Sequence, residues 1–163
     1  MKNALFLLLL PLLLAQCTGT NSNTTGSNSN DSLAARIERV REAYRPDLGD
    51  IMLGIQLHHG KLWFAGINQN WKLAAFEANE IREQLHEAVA MEQDRPEIKT
   101  LPMIYPPLDS LLDAINSQNA AQFKSSFQVL TNTCNACHTV NHYEFNVITI
   151  PSAPPVTNQR FEK

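Results

Sequence analysis

The sequence predicts an all-α protein: an antiparallel four-helix bundle with an extra N-terminal helix and an extended C-terminal tail. Three observations support this fold class. Apolar residues recur at three- and four-residue spacing over most of positions 33–142, which is typical of the buried face of an α-helix. Short polar turns separate the periodic segments, and no β-hairpin pattern occurs before residue 143. The chain length of 163 residues indicates a single domain.

Five helical segments can be placed by their apolar faces and by the residues that end them. The first is a short amphipathic helix that ends before Pro46. Its apolar face consists of Leu33, Ile37, Val40 and Tyr44. The other four helices, which form the predicted bundle within the domain 33–142, cover residues 47–66, 70–93, 108–116 and 120–138.

The segments between and after these helices complete the predicted architecture. Residues 68–70 and 117–119 are short polar turns, so the helices that each of them joins should be antiparallel neighbours. The final residues, 143–163, contain three prolines and are expected to form an extended strap. On the 70–93 helix, four carboxylates fall outside the apolar face and are expected to face solvent: Glu77, Glu80, Glu83 and Glu87.

Residues 1–16 have the composition of a signal peptide. Lys2 gives a positive start, and residues 4–15 form an apolar run interrupted only by Pro11. Such a run is too short to span a bilayer as a helix but has the length of a signal-peptide core. A buried helix of the fold is a poor alternative because the run is terminal, almost entirely leucine and followed by polar residues. The sequence therefore predicts export.

The end of this segment resembles a bacterial lipoprotein box. Residues 14–17 read Leu-Ala-Gln-Cys, and in such a box Cys17 becomes the lipidated first residue of the mature chain. Residues 18–30 consist only of Thr, Gly, Asn and Ser, so segment 17–32 is predicted to be a flexible tether. Acyl chains on Cys17 would hold the protein at the periplasmic face of a bacterial membrane. The alternative is a simple signal peptide cleaved near Ala15, which leaves Cys17 as a free thiol.

The most informative motif lies at the end of the last helix, where residues 134–138 read Cys-Asn-Ala-Cys-His. Cys134 and Cys137 continue the apolar face of that helix and lie one turn apart. Two thiols at this spacing can add to the two vinyl groups of one haem, and His138 then becomes the proximal iron ligand. The sequence therefore predicts one covalently bound haem c. The alternatives are a helix-end disulfide and half of a zinc site, which would lack a second cysteine pair.

The last helix resembles that of a known family. Residues 118–127, Gln-Asn-Ala-Ala-Gln-Phe-Lys-Ser-Ser-Phe, lead through Leu130 into the 134–138 motif. This stretch is similar to the last helix of the cytochrome c′ family and its low-spin, six-coordinate relatives. The similarity is specific over residues 108–138 and only architectural over 47–94. It implies an antiparallel four-helix bundle that carries its haem motif near the C-terminus.

The residue opposite His138 decides what such a haem can do. In an up-down-up-down bundle, the end of the last helix lies near the start of the 47–66 helix, where Met52 is on the inner face. A methionine ligand to the iron favours reversible one-electron transfer. His59, about 10.5 Å further along the same face, is the alternative distal ligand. His58 points about 100° away and is expected at the surface, and His86 is expected in solvent.

The predicted function is electron transfer between periplasmic or membrane redox proteins. The alternatives are binding of nitric oxide or carbon monoxide at an open distal site, and a haem-free helical module with a Cys134–Cys137 disulfide. No enzymatic activity is expected, since no nucleophile has a paired base. A net charge of −3 argues against a nucleic-acid partner. A homodimer is a further expectation, since three glycines would permit close helix approach: Gly54, Gly60 and Gly66.

Overall fold

The protein is all-helical in the part of the chain that a computed structural model describes, namely the backbone of residues 26–163 and the side chains from residue 32 onward. This confirms the predicted all-α class. No β-strand occurs in these residues. The α-helices are α1 (Gly26–Tyr44), α2 (Leu48–Ile67), α3 (Trp71–Met91), α4 (Tyr105–Asn116) and α5 (Ala120–Val140). The predicted signal peptide and Cys17 lie outside the described residues.

Helix α1 belongs to a separate unit that ends at Tyr44, whereas Arg45–Lys163 form the second compact unit. It begins at Gly26, so residues 26–32 of the predicted tether are helical. Its predicted apolar face is exposed: the exposed fractions of Leu33 and Ile37 are 54% and 52%. A helix that has been nucleated extends at little cost per residue, which explains why α1 runs beyond its apolar face.

Helices α2, α3 and α5 begin where short polar side chains can cap them. The Asp47 carboxylate accepts a hydrogen bond from the Asp50 amide at 2.9 Å. The Asn70 and Asn119 side chains accept corresponding bonds from the backbone amides three residues on. Such caps satisfy amide groups that have no partner inside the helix, and they position each helix start. Helix α4 instead carries two prolines in its first turn, where the missing amide hydrogens cost nothing.

The connections from α2 to α3 and from α4 to α5 are tight. Gln69 and Gln118 adopt positive φ values of 56° and 53°, which turn the chain immediately after a helix. As a result α2 packs along α3 and α4 packs along α5, and α3 with α4 and α2 with α5 are also in contact. None of the described helices is both long enough and apolar enough to cross a membrane.

The segment between α3 and α4 is more ordered than the sequence indicated. Two 3₁₀ helices, Pro96–Lys99 and Leu101–Ile104, occupy the region where prolines were expected only to interrupt the chain. Leu101 and Ile104 are buried, 4% and 5% exposed, so this connection contributes to the core. Short 3₁₀ turns are common connectors because they need few residues and tolerate proline at their start.

The prediction that Glu77 faces solvent is wrong. Its side chain is fully buried between α2 and α3, where His58 Nδ1 and Lys61 Nζ each lie 2.7 Å from a carboxylate oxygen. His58, expected at the surface, is accordingly only 15% exposed in its side chain. A helical periodicity argument considers one helix alone, and it misses a charge that is partnered by the neighbouring helix.

The three spaced glycines of α2 serve packing inside the chain. A Cβ at Gly66 would overlap the Phe123 ring, and one at Gly60 would lie 3.0 Å from Pro155. These contacts account for two of the glycines without a second copy of the chain. The homodimer therefore stays a prediction without support from the glycine spacing.

Residues 143–163 contain no helix or strand and run as a strap along the helices. The far end of the strap is firmly held: Phe161 is 4% exposed and its ring centroid lies 5.8 Å from that of Phe64. The Asn70 side chain also donates a hydrogen bond to the Glu162 carbonyl at 3.1 Å. The near end of the strap lies against the 134–138 motif.

Candidate functional site

The three motif residues and both candidate distal ligands line one cavity. This cavity has a volume of about 240 Å³, and its walls include Met52, His59, Cys134, Cys137 and His138. Most of its remaining lining is aliphatic, contributed by α2, α3, the second 3₁₀ helix and α5. The fold therefore brings together, around one apolar space, the residues that the sequence singled out.

A second cavity of about 180 Å³ shares several walls with the first, among them Met52, Cys137 and His138. Its other walls include Arg95 and Tyr143, although the surface that faces the cavity is almost entirely apolar. The guanidinium of Arg95 lies 3.3 Å from the Glu97 carboxylate, and this hydrogen bond raises the Arg95 pKa. Both cavities are therefore mainly apolar, and a charged pair borders the second one next to the first 3₁₀ helix.

The two cysteines are unbridged and differ in their surroundings. Burial raises the pKa of Cys134 to about 12, with a smaller contribution from the nearby Cys137 thiol. Cys134 is therefore a neutral thiol near pH 7, unlike the low-pKa thiol of a catalytic disulfide exchanger. Cys137 Sγ lies 3.4 Å from the Thr100 hydroxyl oxygen, whose proton is donated to the Glu97 carbonyl at 2.6 Å.

His138 is held by the strap. Its Nδ1 lies 2.5 Å from the backbone carbonyl oxygen of Asn146, which can only accept a hydrogen bond. The proton must therefore be on Nδ1, and the lone pair on Nε2. Metal-binding histidines almost always carry such a bond on the ring nitrogen that does not bind the metal. His138 lines the cavity in the tautomer that a metal ligand requires.

His59 has a different environment from His138. It is 4% exposed, and its ring centroid lies 4.4 Å from that of Phe127. Its Nε2 lies 2.9 Å from the Thr131 hydroxyl oxygen, and this hydroxyl donates its own proton to the Phe127 carbonyl. His59 Nε2 must therefore be the donor. Burial lowers the pKa of His59 to about 4, so the ring is neutral at pH 7.

Met52 is less constrained. It is partly buried against the core and lines both cavities. A thioether is polarizable, makes only weak hydrogen bonds and adapts to irregular spaces. Among the described residues, none forms a hydrogen bond with the Met52 sulfur. Of the possible ligand atoms of the two candidate distal residues, only His59 Nε2 is engaged by another group in the part of the chain that the structure describes.

The remaining residues named from the sequence have structural surroundings. His86 is exposed, as predicted, and its ring lies 5.5 Å from that of Tyr105. Trp63 packs on Phe127 with ring centroids 4.9 Å apart, and Trp71 lies edge-on to Phe123. These contacts make the aromatic residues near the α2–α3 turn part of the core and of its cap.

Two asparagines at the site were not identified from the sequence. The Asn135 side chain makes two hydrogen bonds to the backbone of Ile148 in the strap, each of 2.8 Å. The Asn141 side chain donates to the Thr100 hydroxyl and to the Cys137 carbonyl, each at 2.7 Å. Neither contact leaves a sequence signal, because the partners are backbone atoms or lie 41 residues away.

The donor set argues against a zinc site. Among residues 26–163, no group of three or more His, Cys, Asp or Glu side chains could hold a metal ion. Haem has a different requirement, since the porphyrin supplies four nitrogen ligands and the protein adds only the axial ones.

Comparisons with protein family models, characterised proteins and solved structures found no match to the chain.

Proposed function

We propose that the chain is an exported monohaem c-type cytochrome that transfers single electrons between redox proteins. The observation that carries this proposal is the apolar cavity that has Cys134, Cys137 and His138 on one wall and Met52 on another. Apolar cavities with a few convergent polar groups are the usual setting of ligand sites, and here such a cavity is bordered by all the residues of the motif that could bind haem.

The residues present fit a covalent haem c. Cys134 and Cys137 would form the two thioethers, and His138 would bind the iron through Nε2 while the Asn146 carbonyl holds Nδ1. Arg95 lines the second cavity, and its guanidinium would pair with a haem propionate. When bound, haem supplies a reversible one-electron couple. The surrounding apolar side chains exclude water and so limit the cost of changing the charge at the iron.

We favour Met52 over His59 as the distal ligand. His59 would have to give up its hydrogen bond to Thr131 in order to offer Nε2 to the iron, and while that bond is kept Nδ1 is its only free nitrogen. Met52 gives up nothing comparable, and its position on both cavity walls allows it to face His138. Methionine opposite histidine raises the reduction potential and closes the iron to external ligands. This arrangement suits electron transfer better than binding of a gas.

The proposed fold around this site is an antiparallel four-helix bundle similar to that of the cytochrome c′ family. It is supported by the neighbour relations of α2 to α5, in which each helix contacts two others. It is also supported by the tight turns after α2 and α4. Circular dichroism together with a solved structure of the haem-loaded protein would test this arrangement.

The proposed location is the periplasmic face of a bacterial membrane, with Cys17 as the lipid-bearing residue. Redox proteins in the same compartment or membrane are the proposed partners. Replacing Cys17 by Ala tests the anchor directly. The unsubstituted protein should be in the membrane fraction of a bacterial host and carry acyl chains, whereas C17A should carry none and, where its signal peptide is removed, should be in the soluble periplasmic fraction. Equal membrane association of both would contradict the anchor.

Covalent haem is tested by expression in a bacterial host with a c-type maturation system. The exported protein should retain one haem per chain after denaturation, with the haemochrome spectrum of two thioethers. The variant Cys134→Ser/Cys137→Ser should retain none while keeping its helical circular dichroism. If the unsubstituted protein is exported and folded but carries no covalent haem, the proposal is wrong.

The distal ligand is tested by absorption spectroscopy. Ferric protein should be low-spin and show a sulfur-to-iron charge-transfer band that Met52→Ala abolishes and His59→Gln leaves in place. A high-spin spectrum with rapid nitric oxide binding would instead indicate the gas-binding alternative.

A further inference from the structure

The side chain of Asn135 binds the strap through two hydrogen bonds that neither haem attachment nor iron binding requires. Asn135 is the residue between Cys134 and Ala136 in the motif, a position where the haem chemistry itself asks for no particular side chain. Its Nδ2 donates to the Ile148 carbonyl, and its Oδ1 accepts from the Ile148 amide, each at 2.8 Å. A two-point pairing of this kind specifies the orientation of the strap as well as its distance from α5.

The same stretch of strap supplies the hydrogen-bond acceptor of His138. Asn135 and His138 are three residues apart on α5 and therefore share a face of the helix. Asn146 ends a turn of the strap and Ile148 follows two residues later, and the backbone of both residues faces α5. The Asn135–Ile148 pair and the His138–Asn146 bond thus fasten one short segment of strap to one face of α5.

The Asn146 carbonyl lies between two fastenings of the strap. On its N-terminal side the Asn146 amide donates to the Tyr143 carbonyl at 2.9 Å, and the Tyr143 amide donates to the His138 carbonyl at 2.8 Å. On its C-terminal side the next contact is the Asn135–Ile148 pair, since Val147 is 64% exposed. Loss of the Asn135 contact would therefore free the Asn146 carbonyl on its C-terminal side, while the turn before it and the far end of the strap at Phe161 stay in place.

We propose that Asn135 is a positioning residue that, through Ile148, holds the Asn146 carbonyl on His138 Nδ1. This inference rests on the proposed function, because it concerns the histidine that would bind the iron. A hydrogen bond on Nδ1 makes the imidazole a stronger electron donor and stabilises ferric relative to ferrous iron. Asn135 therefore lowers the reduction potential of the bound haem without touching it.

The test uses the exported, haem-loaded protein and four variants. Asn135→Ala removes both hydrogen bonds, and Asn135→Asp keeps only the one accepted from the Ile148 amide. Ile148→Pro removes the amide donor from the strap side and leaves the motif intact, which covers a failure of Asn135→Ala to mature. The matched control is Asn132→Ala, an exposed asparagine of α5 that only accepts a bond from Gln128.

Two measurements are compared across the series. Amide hydrogen exchange at Ile148 should become faster in Asn135→Ala, while the amides of the α5 core exchange as before. The midpoint potential should shift upward in Asn135→Ala and in Ile148→Pro, by less in Asn135→Asp, and not in Asn132→Ala. A tenfold loss of the preference for ferric iron would appear as a shift of about 59 mV for a one-electron couple.

The outcomes separate this inference from the proposed function. Unsubstituted protein without covalent haem would overturn both. Haem-loaded protein in which Asn135→Ala speeds exchange at Ile148 but leaves the potential unchanged would reduce the contact to a structural one and overturn the inference alone. Unchanged exchange at Ile148 in both Asn135→Ala and Asn135→Asp would overturn it as well.

Discussion

The two halves of α5 have opposite surroundings. In the first half, Phe123 and Phe127 are fully buried, and aromatic side chains of α2 and α3 pack against them. In the second half, Cys134, Cys137 and His138 line a cavity of about 240 Å³. The same helix therefore lies in a filled core at one end and beside a hollow at the other.

The two halves of α5 therefore differ in what borders them. Protein interiors are normally packed to the density of organic crystals, and the large side chains of the first half are fully buried among other aromatic rings. The hollow occurs where the motif is, and Leu53, which lines it, remains 66% exposed. The proposed function would account for this difference, because an open space beside two thiols and a histidine is the setting that a prosthetic group needs.

The largest effect on stability is expected in the first half of α5, whose aromatic side chains are fully buried. Phe127→Ala should lower the free energy of unfolding by about 4 kcal/mol, because a buried aromatic side chain is lost and a cavity remains. Urea unfolding followed by circular dichroism would measure it. Val129→Ala, on the exposed side of the same helix, is the control and should change stability by less than about 0.5 kcal/mol. Similar losses in both variants would mean that this half is not tightly packed.

The buried charges near the α2–α3 turn should give the next largest effect. Lys61→Met leaves the fully buried Glu77 carboxylate with His58 as its remaining partner, and we expect a loss of about 3 kcal/mol. Replacing both members, in Lys61→Met/Glu77→Leu, should recover most of that loss, since an apolar pair needs no ionic partner. Urea unfolding of the two variants tests this. No recovery in the double variant would show that the cost arises from packing and not from charge.

His59 lies at the border of the two halves and should make stability depend on pH. In the unfolded chain its pKa is 6.5, whereas burial lowers it to about 4 in the folded protein. Between these values the unfolded state binds more protons, so stability is complete above pH 6.5 and is lost as the pH falls towards 4. From pH 7 to pH 5 the His59 contribution should fall by about 2 kcal/mol.

The measurement is urea unfolding at both pH values for three proteins. The loss attributable to His59 should be absent in His59→Gln, which cannot titrate but can still donate to Thr131. It should persist in His86→Gln, because His86 is exposed. An unchanged pH dependence in His59→Gln would show that another group is responsible.

The smallest effect on stability is expected beside the cavity that the second half of α5 lines. In the haem-free background Cys134→Ser/Cys137→Ser, Met52→Ala should cost less than about 1 kcal/mol, because its side chain already borders an open cavity and its removal creates little new void. Thermal unfolding of the two proteins measures this difference. A loss as large as that of Phe127→Ala would mean that Met52 is a core residue and that the two halves are packed alike.

Helix positions were predictable to within a few residues where a local signal exists. Asp47, Asn70 and Asn119 cap their helices, and α4 begins three residues before its predicted start at 108. The start of α1 and the two 3₁₀ helices were missed. At the two 3₁₀ helices no capping side chain marks the boundary, so periodicity alone could not locate them.

The site was predictable in part for a similar reason. Cys134, Cys137 and His138 are adjacent on one helix, so their spacing alone describes their arrangement. Glu77 was misplaced because its partners, His58 and Lys61, belong to another helix. Asn135 was overlooked because it binds backbone atoms of a segment that has no periodic pattern.

By itself the sequence determined the helical class, the starts of α2, α3 and α5 and the spacing of the motif, because each of these depends on residues within one or two helical turns. The tertiary structure alone decided that a cavity faces the motif, that His59 is engaged by Thr131, and that the strap carbonyl of Asn146 orients His138. These features depend on tertiary contacts between segments that are distant in the sequence. Such contacts are determined by packing and by hydrogen bonds to backbone atoms, which leave no pattern in the order of the residues.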